Sequence, residues 1–204
     1  MVRVFAIDGV TPYVHPEAYV HPTASLIGDV IVEACCYVGP GASLRGDFGR
    51  LVMRRGSNLQ DNCIVHGFPR TETEIGEDGH IGHGAVIHGS KIGRNALVGM
   101  SAVIMDGARV GEDAIVAALS FVKAGFEVPA GTLVAGIPAK VLRPLTEKEK
   151  AWKIEGTREY QELAVRSLST MTATDALSTL DDARLAQHTK GETAVEPLYL
   201  VKRK

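Results

Sequence analysis

The sequence predicts an all-β fold: a left-handed parallel β-helix of hexapeptide repeats with a C-terminal α-helical extension. Two observations support this prediction. Aliphatic residues recur with a period of six across residues 14 to 127, and a small residue lies four positions after most of them. An amphipathic helix has a period of 3.6 and an ordinary strand a period of two, so neither explains the pattern. A short strand and a corner, repeated around a prism, explains it.

In such a prism the aliphatic side chains fill the axis and the small residues allow the backbone to turn. At three hexads per coil, the aliphatic positions predict about six coils. A β-sandwich is the alternative, but sandwiches show alternation with turns every 8–12 residues. The aliphatic positions are Val14, Val20, Leu26, Val32, Val38, Leu44, Leu51, Leu59, Val65, Ile75, Ile81, Ile87, Ile92, Val98, Ile104, Val110, Val116 and Val122.

The repeat ends in the stretch "EVPAGTLVAGIPAKVLRPL", where prolines and glycines interrupt it. We therefore expect a β-helix domain over residues 1–145. Residues 146–189 are expected to form a helical extension packed on the β-helix, and residues 190–204 a loose tail.

The extension has its own internal signals. Thr146 and Glu149 have the spacing of a capping box, which marks a helix start. Gly156 and Thr157 are expected to interrupt that helix, and a second short helix is expected within residues 176–188. An apolar stripe is predicted from Trp152, Tyr160, Leu163 and Leu168.

Composition narrows the function classes. A formal charge of −2 and a pI near 6.4 give no electrostatic basis for binding nucleic acid or a membrane surface. No apolar run approaches membrane-spanning length, and the N-terminus lacks the features of a secretory signal. Cys35, Cys36 and Cys63 form an odd set without CxxC spacing, which indicates buried thiols in a reducing compartment. A cytoplasmic protein is therefore expected.

The repeat register predicts that two histidines stack. Positions three hexads apart lie one coil apart, at about the 4.8 Å spacing of neighbouring strands. Val65 and Ile87 are three hexads apart if "GFPRTETE" is extruded as a loop, so His66 and His88 should lie directly above one another. Counting back from Val65 to Leu44 places Arg45 one coil below His66.

A third histidine falls in a different column. His83 follows Ile81 by two residues, and Asp61 follows Leu59 by two, with Gln60 beside it. These residues should stack near a corner of the prism, displaced from the first column. The columns converge only if prisms pack around a threefold axis, so a homotrimer is predicted. The same contact places Arg45 opposite Asp61, which suits a charge-assisted pair.

The segments "RGDFGR", "NLQDNCIVHG" and "GHIGHGAVIHG" resemble the γ-class carbonic anhydrases, a family of trimeric left-handed β-helices. The resemblance implies that His66, His83 and His88 bind zinc, or alternatively iron, across the subunit interface. It also implies an interface pair and an active-site glutamine, and it assigns two further motif positions. The interface pair is Arg45 with Asp61, and the active-site glutamine is Gln60. The two further motif positions are Asp47 and Asn58.

Within that family the chain looks nearest to the PaaY/CaiE group, and within the group to PaaY-type proteins. This resemblance implies a metal-dependent hydrolase that uses hydroxide at three histidines, most simply a thioesterase acting on CoA thioesters of phenylacetate catabolism. Reversible CO2 hydration is the first alternative. A hexapeptide acyltransferase with a single histidine base, or a non-catalytic assembly protein, is the other.

Several residues have less specific predictions. Tyr160 is a candidate hydroxyl donor to the site, with simple packing as its alternative. Glu72 and Glu74 lie in the loop where the efficient anhydrases carry a proton-shuttling glutamate, and the sequence leaves open whether Glu72, Glu74 or neither takes that role. The remaining histidines are expected to be structural: His15, His21 and His80 at exposed repeat positions, and His188 in the tail.

Overall fold

A computed structural model describes residues 2–189 and 196–201 as a parallel β-solenoid with one long helix along its side. The strands of the first four coils are β1 (Arg3–Phe5), β2 (Tyr13–Val14), β3 (Tyr19–Val20), β4 (Ser25–Val32), β5 (Tyr37–Val38), β6 (Ser43–Met53), β7 (Asn58–Leu59), β8 (Ile64–His66), β9 (Glu72–Ile75) and β10 (His80–Ile81). The later strands are β11 (Val86–His88), β12 (Lys91–Ile92), β13 (Leu97–Val98), β14 (Val103–Ile104), β15 (Arg109–Val110), β16 (Ile115–Val116), β17 (Phe121–Val122), β18 (Glu127–Val128), β19 (Thr132–Gly136) and β20 (Ala139–Pro144).

These strands form the three faces of a prism. Face A contains β1, β8, β11, β14 and β17 with the first halves of β4 and β6. Face B contains β2, β9, β12, β15 and β18 with the second halves of β4 and β6. Face C contains β3, β5, β7, β10, β13, β16 and β19. All pairs within a face are parallel, and among the described strands only β20 runs antiparallel, beside β19.

The predicted fold class, a left-handed β-helix of hexapeptide repeats, is confirmed, with about seven coils instead of six. The additional coil comes from strands β1 and β19, which lie outside the region where the repeat is regular. Every aliphatic repeat position from Val20 to Val122 is buried in one continuous core. Burying each such side chain contributes roughly 1.5–3 kcal/mol, so the axis is the main source of stability.

The helix α1 (Glu147–Thr170) begins at the predicted capping box, in which Thr146 and Glu149 exchange side-chain and backbone hydrogen bonds. Its buried side chains recur at helical spacing but are mostly polar. Lys153 donates hydrogen bonds to the Asp78 carbonyl and the Asn95 side chain, both at 2.6 Å. Further along α1, Gln161 donates to Asp78 at 2.8 Å. Polar anchors therefore hold α1 against face C.

One prediction about α1 is wrong, and another holds only in part. The helix runs unbroken through Gly156 and Thr157, because Thr157 is buried and the anchors at Lys153 and Gln161 hold both flanks of this point. The predicted apolar stripe forms only in part, since Tyr160 and Leu163 pack against Tyr19 and Tyr37. Leu168 is exposed, and the buried positions are Glu149, Lys153, Thr157, Ala164 and Ser167.

The remaining C-terminal segments are short. The second helix expected within 176–188 is reduced to α2 (Asp182–Leu185), because the side chains around it are exposed and bury no apolar face. The predicted loose tail lies partly outside the described residues, and its described part contains α3 (Leu198–Val201). None of the described helices is long and apolar enough to cross a membrane.

The cysteines largely fit the expectation of buried thiols. Cys36 and Cys63 are buried in the core, and burial raises the pKa of each thiol to about 11. Cys35 departs from the expectation, since it is only partly buried at a corner with a positive φ of 58°. All three are free.

Candidate metal centre

The first histidine column lies on the outer side of face A. His66 ends β8 and His88 ends β11, and the two residues pair in register, which confirms the predicted stack. The imidazole rings have centroids 5.1 Å apart, and His66 Nδ1 lies 3.1 Å from His88 Nε2. Arg45 follows Leu44, which pairs with Val65, so Arg45 lies one coil below His66 as predicted.

Each histidine in this column is held by a carboxylate. Asp47 accepts a hydrogen bond from His66 Nε2 at 3.0 Å, and Asp106 accepts one from His88 Nδ1 at 2.6 Å. Desolvation raises the pKa of Asp47, but hydrogen bonds from Arg45 and His66 outweigh it and leave that pKa below its ordinary value. Asp47 therefore stays ionised and fixes which nitrogen of His66 carries the proton.

A glycine makes room for the second carboxylate. Gly89, directly after His88, has a φ of 54°, and a side chain there would collide with the Asp106 carboxylate. Only glycine adopts this conformation without strain while leaving the space empty. The approach of Asp106 to His88 therefore depends on Gly89.

The second column lies at the corner that follows face C. Asp61 follows β7 and His83 follows β10 one coil above, and Asp61 accepts a hydrogen bond from His83 Nδ1 at 2.7 Å. The Nε2 atom of His83 is thus left free to bind. The His83 side chain is 48% exposed, against 12% for His66 and 24% for His88.

The two columns do not meet within one chain. Among the described residues, no three His, Cys, Asp or Glu side chains come together as a metal site. The predicted Arg45–Asp61 pair is likewise not formed in the chain. Arg45 pairs with Asp47 at 2.5 Å, and Asp61 pairs with His83. The sharing of these residues between subunits stays a prediction.

Exposed apolar side chains lie beside both columns. Phe48 packs against His66 and Phe68 against His88, with ring centroids 5.5 and 5.3 Å apart, and both phenyl rings are more than half exposed. Above His83, the next corners of the second column expose Met100 and Leu119. Apolar patches of this kind mark surfaces that associate with another protein.

Gln60 lies behind the second column, in a polar cluster with Asn58 and His80. The Gln60 amide nitrogen donates to Asn58 Oδ1 at 3.1 Å and lies 2.7 Å from His80 Nε2. Asn58 contacts the other nitrogen of His80 at 3.2 Å. Both amide side chains are buried, so their orientations are fixed before any substrate arrives.

The prediction that His80 occupies an exposed position is wrong. Helix α1 covers it, with the Tyr160 ring edge-on at a centroid distance of 5.2 Å and Thr157 Oγ1 at 3.5 Å from Nδ1. Burial, together with the charge of Lys153, lowers the pKa of His80 to about 3. His80 is therefore a neutral imidazole at physiological pH.

Tyr160 reaches the neighbourhood of Gln60 and His83, all three of which line one groove. Burial raises its pKa to about 12, so the hydroxyl stays protonated and can donate. Its ring also packs edge-on against Tyr37, at a centroid distance of 5.4 Å. The structure thus allows both of the predicted roles, donor and packing residue.

Glu72 and Glu74, the residues near the shuttle position, lie on β9 in face B. Glu72 pairs with Lys91 at 3.3 Å and Glu74 with Arg54 at 3.1 Å. Both carboxylates are therefore engaged on a different face from the histidines.

Two residues of the site were missed by sequence reasoning. Asp106 could have been found by carrying the count one coil further, since Ile104 pairs with Ile87 and Asp106 follows Ile104 by two residues. His80 had no such signal, because its burial comes from α1, and the repeat does not encode where that helix docks.

Comparison with known proteins agrees with this architecture. The family described as bacterial transferase hexapeptide (six repeats) matches residues 89–124. Among solved structures, a hexapeptide transferase family protein from Anaplasma phagocytophilum is 36% identical, with a TM-score of 0.77 over 80% of this chain and 96% of that one. A candidate acetyltransferase from Bacillus cereus is 29% identical, with a TM-score of 0.81 over 82% of this chain and 98% of that one.

Curated relatives cover nearly the whole chain. The carnitine operon protein CaiE of Salmonella agona (strain SL483) is 55% identical over 193 residues, which are 95% of this chain and 96% of the relative. CaiE of Salmonella newport (strain SL254) matches to the same extent. These matches do not bear on the predicted nearness to PaaY-type proteins, which stays a prediction. At this identity and coverage, the chain belongs to the CaiE family of hexapeptide-repeat proteins.

Proposed function

We propose that the chain is a metal-dependent hydrolase of acyl-CoA thioesters, with each site shared between two subunits of a homotrimer. His66 and His88 of one subunit and His83 of the next would hold the metal. The observation that carries this proposal is the pair of facing nitrogens in the first column, 3.1 Å apart and each backed by a carboxylate.

The protonation of this pair favours a bound cation. If His66 donates from Nε2 to Asp47, and His88 from Nδ1 to Asp106, each neutral ring faces the other with a bare lone pair. Two lone pairs at 3.1 Å repel unless a cation or a proton lies between them. Nitrogens bound to a tetrahedral zinc at about 2.0–2.1 Å lie roughly 3.3 Å apart, close to the spacing observed.

The surrounding residues suit hydrolytic chemistry. When bound, zinc lowers the pKa of a water molecule to near 7, so that hydroxide forms at neutral pH. Asp47 and Asp106 hold the imidazoles in the tautomers that leave a nitrogen free for binding. Gln60, fixed by Asn58 and His80, would orient the attacking oxygen, and Tyr160 would donate a hydrogen bond from its hydroxyl to the carbonyl oxygen.

An acyltransferase is the second candidate, and the comparisons favour it more than they favour the hydrolase. The matching family and the two solved structures carry transferase names. In that case His66 or His88, oriented by its aspartate, would act as the general base that activates an acceptor hydroxyl or amine. The same metal site could instead hydrate CO2.

A single set of assays separates these functions. The full chain is tested on acetyl-, hexanoyl-, phenylacetyl- and carnitinyl-CoA in water alone, on the same thioesters with added amines and alcohols, and on CO2. Thioester hydrolysis that is lost on chelation, and restored by zinc or iron, supports the hydrolase. Turnover that requires an acceptor and survives chelation assigns the acyltransferase. Turnover of CO2 alone assigns the anhydrase activity.

A further inference from the structure

The outward side chains of face C change character along the prism axis. Strand pairing places them in one vertical ladder. The ladder is aromatic in the first coils, polar in the middle and aliphatic in the last three, in the order Tyr19, Tyr37, Asn58, His80, Leu97, Ile115 and Leu133. Helix α1 packs closely on the aromatic end through Tyr160, Leu163 and Ala164.

The aliphatic end of this ladder forms one wall of a groove of about 500 Å³. We call it the face C groove, and it runs along Leu97, Ile115 and Leu133. Trp152 and Tyr160 of α1 form the opposite wall, and Leu198 of α3 borders it. Its volume and mostly apolar lining match those of ligand-binding clefts.

The polar groups of the groove are concentrated at one end. Gln60, His80 and His83 lie where the ladder changes from polar to aliphatic, next to Leu97. Leu133 lies two strands further on, at about 10 Å from Leu97 by the usual strand spacing. A ligand with one polar end and an apolar body matches this arrangement.

We propose that the face C groove binds the apolar acyl group of the substrate, with the thioester carbonyl at the Gln60 and His83 end. This assignment rests on the function proposed above and names the part of the substrate that the chain selects. The acyl chain extends from Leu97 past Ile115 towards Leu133, between the aliphatic ladder and Trp152.

The chemistry of the lining argues for the acyl group and against the CoA moiety. No lysine or arginine lines the groove within the described part of the chain, whereas the phosphates of CoA need cationic partners. The aliphatic ladder and the aromatic wall offer dispersion contacts and release of water instead. The nucleotide end of CoA therefore lies outside the groove.

Trp152 makes this proposal directly measurable, since it is the only tryptophan in the chain and lines the groove. The probes are S-alkyl-CoA thioethers of two to ten carbons, which lack a carbonyl and cannot be hydrolysed or transferred. We expect them to shift the Trp152 emission and free CoA to leave it unchanged. Affinity should rise about fourfold for each added methylene until the groove is filled.

Two variants test the direction in which the alkyl chain lies. Leu97→Phe narrows the groove near its polar end and should weaken hexyl-CoA about tenfold or more, while ethyl-CoA changes less than twofold. Leu133→Phe blocks the far end and should leave hexyl-CoA unchanged but weaken decyl-CoA. Leu142→Phe is the matched control, because Leu142 is exposed on β20 and does not line the groove.

An affinity that does not depend on chain length in the unmodified protein overturns the proposal, even if a variant fails to fold. The proposal is also overturned if Leu97→Phe weakens the binding of every S-alkyl-CoA thioether by the same factor. These outcomes are separable from those of the proposed function. Binding that depends on chain length, without thioester turnover, supports the face C groove as the acyl site and contradicts the hydrolase. Thioester turnover without any dependence on chain length supports the hydrolase and contradicts the groove.

Discussion

The two histidine columns of the candidate site differ in how far one chain completes them. In the first, His66 and His88 are largely buried, face each other and are each fixed by an aspartate. In the second, His83 and its partner Asp61 are 48% and 40% exposed at a corner. The first column is therefore preorganised within the chain, whereas the second presents a free nitrogen to its surroundings.

This difference indicates which metal ligands each subunit would supply. A rigid pair of ligands on one surface needs only a third ligand from outside, and a corner residue reaches outwards more easily than one on a flat face. The apolar side chains next to both columns would supply the association energy, and the histidines would supply the chemistry.

The largest effect is expected from removing one histidine from each column. His66→Ala and His83→Ala chains should each lose metal and activity by about a thousandfold, beyond the 10–100-fold typical of residues that only support a ligand. When the two variants are refolded together, junctions that combine an intact His66–His88 pair with an intact His83 should recover both. Metal content and turnover of the mixed trimers provide the measurement.

The control for this mixing experiment is His66→Ala refolded with His88→Ala. Those residues belong to the same column, so no junction regains a full set of ligands and nothing should recover. Equal recovery in both mixtures, or no recovery in either despite heterotrimers confirmed by mass, would show that the columns do not meet as proposed.

Arg45→Ala should weaken trimer association by about 3 kcal/mol. In the trimer it would leave Asp61 of the neighbouring subunit without its cation, and breaking a desolvated pair costs about 3–5 kcal/mol. The lower end applies because Arg45 also contacts Asp47 and is 44% exposed in the single chain. Dilution followed by mass measurement gives the dissociation constant, with Arg50→Ala on face B as the control. A trimer as stable as the control would place Arg45 outside the interface.

The buried His80, which contacts Gln60 beside the second column, predicts that the free energy of unfolding depends on pH. Its pKa is about 3 in the folded chain, below the ordinary 6.5, because burial, Lys153 and His83 disfavour the charged form. The unfolded chain therefore binds the proton first as the pH falls. The contribution of His80 to the free energy of unfolding is fully present above pH 6.5. It declines below that pH, by about 2 kcal/mol between pH 7 and pH 5.

Denaturant unfolding at both pH values measures this loss. His80→Asn should remove it, whatever its effect on stability at pH 7, and the exposed His188→Asn should keep it. Loss of the same size in all three proteins would mean that groups other than His80 titrate in this range.

The repeat explains why so much of the first column could be predicted. Inward aliphatic residues fix the register of each coil, so the place of His66 relative to His88 follows from counting Val65 and Ile87. Asp106 was within reach of the same counting. The corner residues Asp61 and His83 followed equally, because a corner is a repeat position.

What counting could not predict depends on contacts between elements. The burial of His80 results from α1, whose fully buried positions are mostly polar and give only a weak apolar pattern. The unbroken course of α1 through Gly156 comes from anchors to Asp78 and Asn95 on distant coils. In the single chain Arg45 pairs with Asp47. Its predicted pairing with Asp61 needs a second subunit, which a count within one chain does not describe.

The smallest effect concerns Leu119, at the outer corner of the second column. Its φ is 61°, a left-handed conformation that costs a branched side chain about 1–2 kcal/mol, and it is 69% exposed. A strained and exposed leucine gives the single chain no stability, which is consistent with contact to a neighbouring subunit. Leu119→Gly should therefore stabilise the dissociated chain by about 1 kcal/mol while weakening the trimer.

The matched control is Ser101→Gly, one coil below Leu119 at the equivalent corner, with a φ of 55° and an exposed polar side chain. It relieves similar strain without removing apolar surface, so it should stabilise the chain and leave association unchanged. Unfolding at protein concentrations below the dissociation constant measures the stability of the dissociated chain. Mass measurement at concentrations above it measures trimer association. If both glycine variants associate equally well, Leu119 makes no contact in the trimer and the second column faces solvent at that level.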